Sequence, residues 1–220
     1  MRSKGYYRCR QHAVLPSVGI RSDSASTAFC EYGNARNIEV LLRDSHPRPN
    51  VNTTDEHFRT PLYYLCDSES HGTSSIQLLM KPEYQTDVNI QNAVNGHTAL
   101  HRACENSLLQ AAQIIVRGGS GSEGIKVNPD LQSNAGNTAL HNAAGTAKSC
   151  LPIIRLLLYE AKANVRIKND AGQTPLHIAY SVGNLDAARV LLLEGAANPN
   201  TKDKSGRSVL LYACEDNNVD

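Results

Sequence analysis

Tryptophan is absent from these 220 residues, phenylalanine occurs twice, and aromatics together make up 5% of the chain. So thin an aromatic content disfavours a base-stacking platform or a sugar-stacking cleft, and suits helices packed through Leu, Ile, Val and Ala. An excess of one charge is lacking too. The net charge of +1 gives no electrostatic case for nucleic acid or an anionic membrane as a partner. No apolar run approaches the roughly 20 residues that span a bilayer. No apolar stretch follows the N-terminus as a secretory signal would require. With 40% hydrophobic and 20% charged residues, the composition is that of an ordinary soluble chain with a buried core.

What the chain has is repetition. Thr60-Pro61-Leu62-Tyr63, Thr98-Ala99-Leu100-His101, Thr138-Ala139-Leu140-His141 and Thr174-Pro175-Leu176-His177 say nearly the same thing, at steps of 38, 40 and 36 residues. A weaker copy, Ser208-Val209-Leu210-Leu211, follows 34 residues later. Self-similarity at this period implies a stacked array of small units, whose extended surface holds a partner rather than transforms a substrate.

The best-formed unit, Asp170 to Asn200, shows the grammar. Thr174 reads as an N-cap with Pro175 at the first helical position. Gly183-Asn184 breaks that short helix. A second helix follows with Leu185, Ala188, Leu191 and Leu192 at helical spacing, and Gly195 is expected to supply its left-handed cap. Neither helix can bury its apolar stripe alone. Elsewhere the second helix reads as Leu108 to Val116 and as Leu151 to Leu158. Turns ending near Gly96, Gly136, Gly172 and Gly206 want positive φ. Phe58 stands where the Thr60 unit would place that glycine, so its turn is strained, reshaped, or used to make a contact.

The array is expected over 24–220, with units opening near 24, 60, 98, 138 and 174 and a partial one from 208. Residues 1–23 form a basic N-terminal tail, flexible or capping, with Arg2, Lys4, Arg8, Arg10 and Arg21 before the first acid at Asp23. Cys30, Cys66, Cys104 and Cys214 each fall six residues after their unit's opening residue, where Ala144 and Tyr180 stand in the others. Cysteines in equivalent slots read as small buried core residues, not disulfide partners, which points to a reducing intracellular compartment.

Gly172-x-Thr174-Pro175-Leu176-His177-x-Ala179, then Gly183-Asn184-Leu185, then Leu191-Leu192-x-x-Gly195-Ala196, resembles the ankyrin repeat, a unit of about 33 residues with a turn and two helices. The copies at Gly96 to Ala103 and Gly136 to Ala143 resemble it nearly as well. The resemblance implies an all-α helix-turn-helix solenoid with short β-hairpin-like fingers, about five full repeats plus a partial sixth. It also implies partner binding on the concave side, at fingertips and first-helix faces: Glu56, His57, Arg59, Asn95, His97, Asn134, Asn137, Gln173, Lys204 and Arg207, with Glu105, Asn106 and Ser181 on the helices.

Recurring histidines invite a catalytic or metal reading. His101, His141 and His177 occupy one equivalent position in separate units, so they should be spaced along the array rather than converge. The resemblance gives each a local hydrogen bond that orders the turn and helix start. Cys9-x-x-His12 is half of a zinc spacing with no second pair after it, and the glycine run from Gly118 to Gly124 lacks the Lys-Ser/Thr of a phosphate loop. No catalytic residue, cofactor or metal is expected.

The reading is a protein-interaction scaffold in the cytoplasm or nucleus, binding another protein or peptide, with no direct nucleic-acid or membrane contact, as a monomer or part of a longer chain. Two alternatives stand beside it: a regulatory or substrate-recruiting module of a larger enzyme or channel, and an inhibitor of Rel-type transcription factors. The copy at Ser208 has a first helix but no second helix or polar cap after it. A solenoid needs covered ends, so the chain is expected to be a fragment or one module of a longer protein.

Overall fold

The computed structural model describes residues 35–67, 73–118, 126–146 and 150–215. The basic tail, the inferred opening of the first unit at Ser24, and Cys30 lie outside the described residues. Ten α-helices appear among the rest: α1 (Ala35–Asp44), α2 (Pro61–Leu65), α3 (Thr73–Leu79), α4 (Ala99–Glu105), α5 (Leu109–Gly118), α6 (Ala139–Gly145), α7 (Leu151–Tyr159), α8 (Pro175–Ser181), α9 (Leu185–Leu193) and α10 (Val209–Glu215). They form two parallel stacks. The first helices α2, α4, α6, α8 and α10 each pack on the next, and so do the second helices α1, α3, α5, α7 and α9. Contacts therefore run between neighbouring units, as a solenoid requires.

Three of the first helices, α4, α6 and α8, start by the same device. Thr98, Thr138 and Thr174 sit in extended backbone just before the helix, and the histidine three residues on closes a capping box with each. Histidine here does the work usually given to Glu or Gln. Small residues then let the helices approach: Ala99, Ala103, Ala139, Ala143 and Ala179 are all buried. Second helices supply the bulk of the core through Ile76, Leu79, Ile115, Ile153, Leu157 and Leu191. Asn184 caps α9 by accepting from the Ala187 N–H, and its amide reaches the Ala144 and Thr146 carbonyls of the preceding unit.

Fingers link the units on one edge. Each closes on itself through a backbone bond across its base, from Asp55 N to Arg59 O, Asn92 N to His97 O, Ser133 N to Asn137 O, Asn169 N to Gln173 O and Asp203 N to Arg207 O, and a second one turns its tip, as from Gly172 N to Asn169 O. Neighbouring tips then join: Ala93 N donates to His57 O, Asn134 N to Asn95 O, Asp170 N to Ala135 O and Lys204 N to Ala171 O. These are hairpin-like turns rather than sheet; among the described residues there is no strand, only an isolated bridge between Lys202 and Ser208. Gly172 shows why glycine recurs at the tips: its φ is +77°, and a Cβ there would lie 2.6 Å from the Lys204 nitrogen.

Three expectations need adjusting. The left-handed residue after α9 is Ala196, at φ +51°, not Gly195. Gly195 is needed instead for closeness, because a Cβ would meet the Leu191 carbonyl at 2.8 Å. Helix α5 begins at Leu109 and runs to Gly118, two residues beyond Val116. Cys66 and Cys104 are buried as expected, but Cys214 is exposed, since α10 has no described helix on its downstream side. On that same face Leu210 is 72% exposed, where Leu62, Leu100, Leu140 and Leu176 are buried.

Candidate functional site

The histidines belong to the junctions. In His101 the Nδ1 accepts from the Thr98 backbone N–H, which leaves Nε2 to carry the proton and donate to the Asn137 carbonyl of the next unit at 3.0 Å. His141 does the same with Thr138 N and the Gln173 carbonyl, again at 3.0 Å. Burial pushes both imidazoles down to about 4. A proton on Nδ1 would also face an N–H donor. His177 makes the local bond to Thr174, while its buried Nε2 lacks a hydrogen-bond partner. The role is therefore wider than a local one, because two of the three rings tie a helix start to the following finger.

Several expected contact residues are engaged in the same framework. The Asn137 side chain accepts from Asn169, and the Gln173 amide donates to the Tyr212 hydroxyl. Asn106 donates to the Cys66 and Asp67 carbonyls of the preceding unit. Arg207 lies over the Tyr212 ring at 4.5 Å and pairs with Asp203 at 3.1 Å. Burial opposes the ionisation of Asp203, yet hydrogen bonds from the Arg207 backbone and guanidinium and from Tyr212 hold its carboxyl down at about 2. Arg59 repeats this clamp, over Tyr64 at 4.7 Å and paired with Asp55 at 2.7 Å. Glu56, His57, Asn134, Ser181 and Lys204 are exposed.

The remaining residues gather at one place. A recess of ≈ 190 Å³ lies between the first two described fingers and helices α2 and α4, lined by Arg59, Tyr63, Tyr64, Asp67, Asn92, Val94, Asn95 and Arg102. Arg102 bridges two carboxylates, donating to Asp67 and, at 2.9 Å, to Glu105. His97 stacks on His101 with centroids 5.2 Å apart, and its Nδ1 lies 3.6 Å from Glu105 without a hydrogen bond. Burial lowers the His97 pKa against the pull of Glu105, so the ring is neutral near pH 7. Phe58 adopts φ +59° and remains 57% exposed; Val94 is 66% exposed. Among these residues Tyr64, Asn92 and Arg102 were not singled out from sequence, and Tyr63 was read only as part of the repeated motif.

Charge is unevenly spread along the array. Residues 50–110 hold seven acids (Asp55, Glu56, Asp67, Glu69, Glu83, Asp87, Glu105) and three bases (Arg59, Lys81, Arg102). Residues 161–208 hold seven bases (Lys162, Arg166, Lys168, Arg189, Lys202, Lys204, Arg207) and four acids (Asp170, Asp186, Glu194, Asp203). A larger recess of ≈ 490 Å³ lies between α3 and α5, floored by Met80 and Ile114 and rimmed by Gln77, Gln110 and Gln113. Its one cation, Arg117, is turned to Glu160 at 2.8 Å. Among the described residues no cluster of metal-ligating side chains occurs, and no helix is long and apolar enough to cross a membrane.

The family model described as ankyrin repeats in three copies matches residues 68–169 and 146–220. This chain belongs to the ankyrin repeat family. Its fold is an ankyrin solenoid: a solved ankyrin repeat protein, EF0377, superposes with a TM-score of 0.73 at 21% identity, over 88% of this chain and 92% of that one. The probable 26S proteasome regulatory subunit p28 of Saccharomyces cerevisiae is 31% identical over 188 residues, covering 83% of this chain and 75% of its own length. NF-kappa-B inhibitor zeta of Mus musculus is 29% identical over 86% of this chain, which spans 30% of the mouse protein. Ankyrin repeats mediate protein–protein interaction and are typically non-catalytic, so the class of this protein is a protein-binding repeat domain.

Proposed function

We propose that this chain is an interaction scaffold that holds a partner protein or peptide against its fingers and first helices, without chemistry. The observation that carries this is where the unspent side chains stand. Stacking uses the histidines, the finger asparagines and both Asp–Arg–Tyr clamps, while Phe58 and Val94 stay exposed on the first two described fingers, and Asp67 and Glu105, sharing Arg102, stand half exposed at and beside the recess that Val94 lines. Likeness to p28 along most of both chains favours a partner that is itself a subunit of a larger protein assembly. Buried thiols at Cys66, Cys104 and Cys150 suit a reducing compartment, the cytoplasm or nucleus. An acid-rich binding end disfavours nucleic acid.

A photo-crosslinking amino acid placed at Val94 should capture a discrete partner in cells, and the same group at Tyr159, exposed on the second-helix side, should not. Equal capture at both positions would remove the recess as the binding face. A second reading, an inhibitor of Rel-type factors, is favoured by the likeness to NF-kappa-B inhibitor zeta across 86% of this chain. Purified Rel-homology dimers that fail to co-elute with the folded chain would end it.

A further inference from the structure

We infer that the recess between the first two described fingers takes a partner segment carrying an arginine or lysine next to a bulky apolar residue. This rests on the scaffold reading above and names what the groove receives.

The departures from the repeat pattern lie in that recess and on the finger beside it. Four fingers keep glycine at positive φ, but Phe58 holds φ +59°, a conformation that strains a side chain with a Cβ. Tyr63 replaces the junction histidine and lines the recess. The finger closed by Asn92 and His97 is one residue longer than those closed by Ser133 and Asn137, Asn169 and Gln173, or Asp203 and Arg207. That finger presents Val94 to solvent. Stacking requires none of these changes, since the units at Thr138 and Thr174 pack without them.

The electrostatics select the occupant. Arg102 is one cation shared by Asp67 and Glu105, whose side chains are 45% and 43% exposed, so one negative charge is uncompensated. Arg59 is already held by Asp55, and His97 is neutral, so neither balances it. An incoming ammonium or guanidinium completes the set. An anionic segment or a nucleic-acid backbone meets repulsion instead. Val94, which lines the recess, offers an apolar surface beside the charge, and Phe58 stands exposed on the adjoining finger. Hot spots of binding combine such an anchor with a charged contact.

The test pans a random 12-residue phage-displayed peptide library on the full chain and measures enriched peptides by fluorescence anisotropy. Enriched sequences should share Lys or Arg beside a bulky apolar residue. Phe58→Gly and the pair Asp67→Asn with Glu105→Gln should each weaken them about tenfold or more, the loss of one hot-spot contact. Arg189→Glu, on the second-helix side, should leave affinity unchanged, and circular dichroism checks that every variant is folded. Acidic consensus peptides would overturn the inference. So would affinity that follows Lys204→Glu while Phe58 and the carboxylates are silent, although the scaffold reading would survive that result. A folded chain that retains no peptide at all would sink both.

Discussion

Lowering the pH should destabilise this protein before its carboxylates titrate. His101 and His141 are buried, and their folded pKa values lie at about 4 against an ordinary 6.5. The unfolded chain therefore binds more protons than the folded one between those limits. Stability is fully present above pH 6.5 and is lost as pH falls toward 4. At pH 5.0 each ring is mostly protonated when unfolded and mostly neutral when folded, which is worth about 2 kcal/mol apiece. The two together remove about 4 kcal/mol, a large fraction of an ordinary domain's 5–15 kcal/mol. Burial also lowers His97 and His177, which adds to the same slope. Asp203, held at about 2, and Asp55, held below 3.8, lose their contribution only under pH 3.8, outside this window.

Urea unfolding followed by circular dichroism at pH 7.5 and 5.0 measures the difference. His141→Gln should lower stability at both values but cut the pH difference by about 2 kcal/mol, because one proton-linked site has gone. A pH difference that is identical in the variant, or one under about 1 kcal/mol in the parent chain, would refute the reasoning. Either result would mean these rings open to solvent without unfolding.

Two other outcomes follow from the packing. Leu191 is fully buried in α9, so Leu191→Ala should cost about 2–5 kcal/mol in urea unfolding. Gly172→Ala forces a Cβ to 2.6 Å from the Lys204 nitrogen at φ +77°, so it should cost about 1–3 kcal/mol and expose the Lys204 N–H to faster hydrogen exchange.

The array was legible because its information is local. Thr-x-Leu-His recurs at a nearly fixed step, and each copy writes its own cap, short helix and turn within ten residues. What was hidden spans repeats. Asn52 reaches Gln85 and Asp87, and Asn89 reaches Lys126 and Asn128, so the recurrent asparagines are rungs between joints 33–39 residues apart, not merely turn formers. The spacing Asp-x-x-x-Arg-x-x-x-x-Tyr stands twice in the chain, at Asp55 and at Asp203, and marks both clamps. By sequence Arg59 and Arg207 look like fingertip residues open to a partner, because nothing in a periodic pattern says that a fingertip arginine folds back onto its own helix. Arg102 escaped notice for the opposite reason: it follows the junction histidine, at a position that varies freely from unit to unit.

Phe58 separates these two kinds of position, and its stability can be worked out in advance. Relieving φ +59° by Phe58→Gly returns about 1–2 kcal/mol. Against that, glycine adds unfolded-state freedom worth about 0.5–1 kcal/mol. The ring is 57% exposed, so losing its partial burial costs about 1 kcal/mol. The terms nearly cancel, and the melting curve should move by less than the equivalent of about 1 kcal/mol. A residue kept for folding cannot behave so. If Phe58→Gly instead cost the 3–5 kcal/mol typical of a core phenylalanine, roughly what truncation of a buried ring gives, the side chain would belong to the stack. The recess would then lose the apolar residue proposed beside it, and the strain at this one fingertip would be a packing compromise rather than a sign of something that docks there.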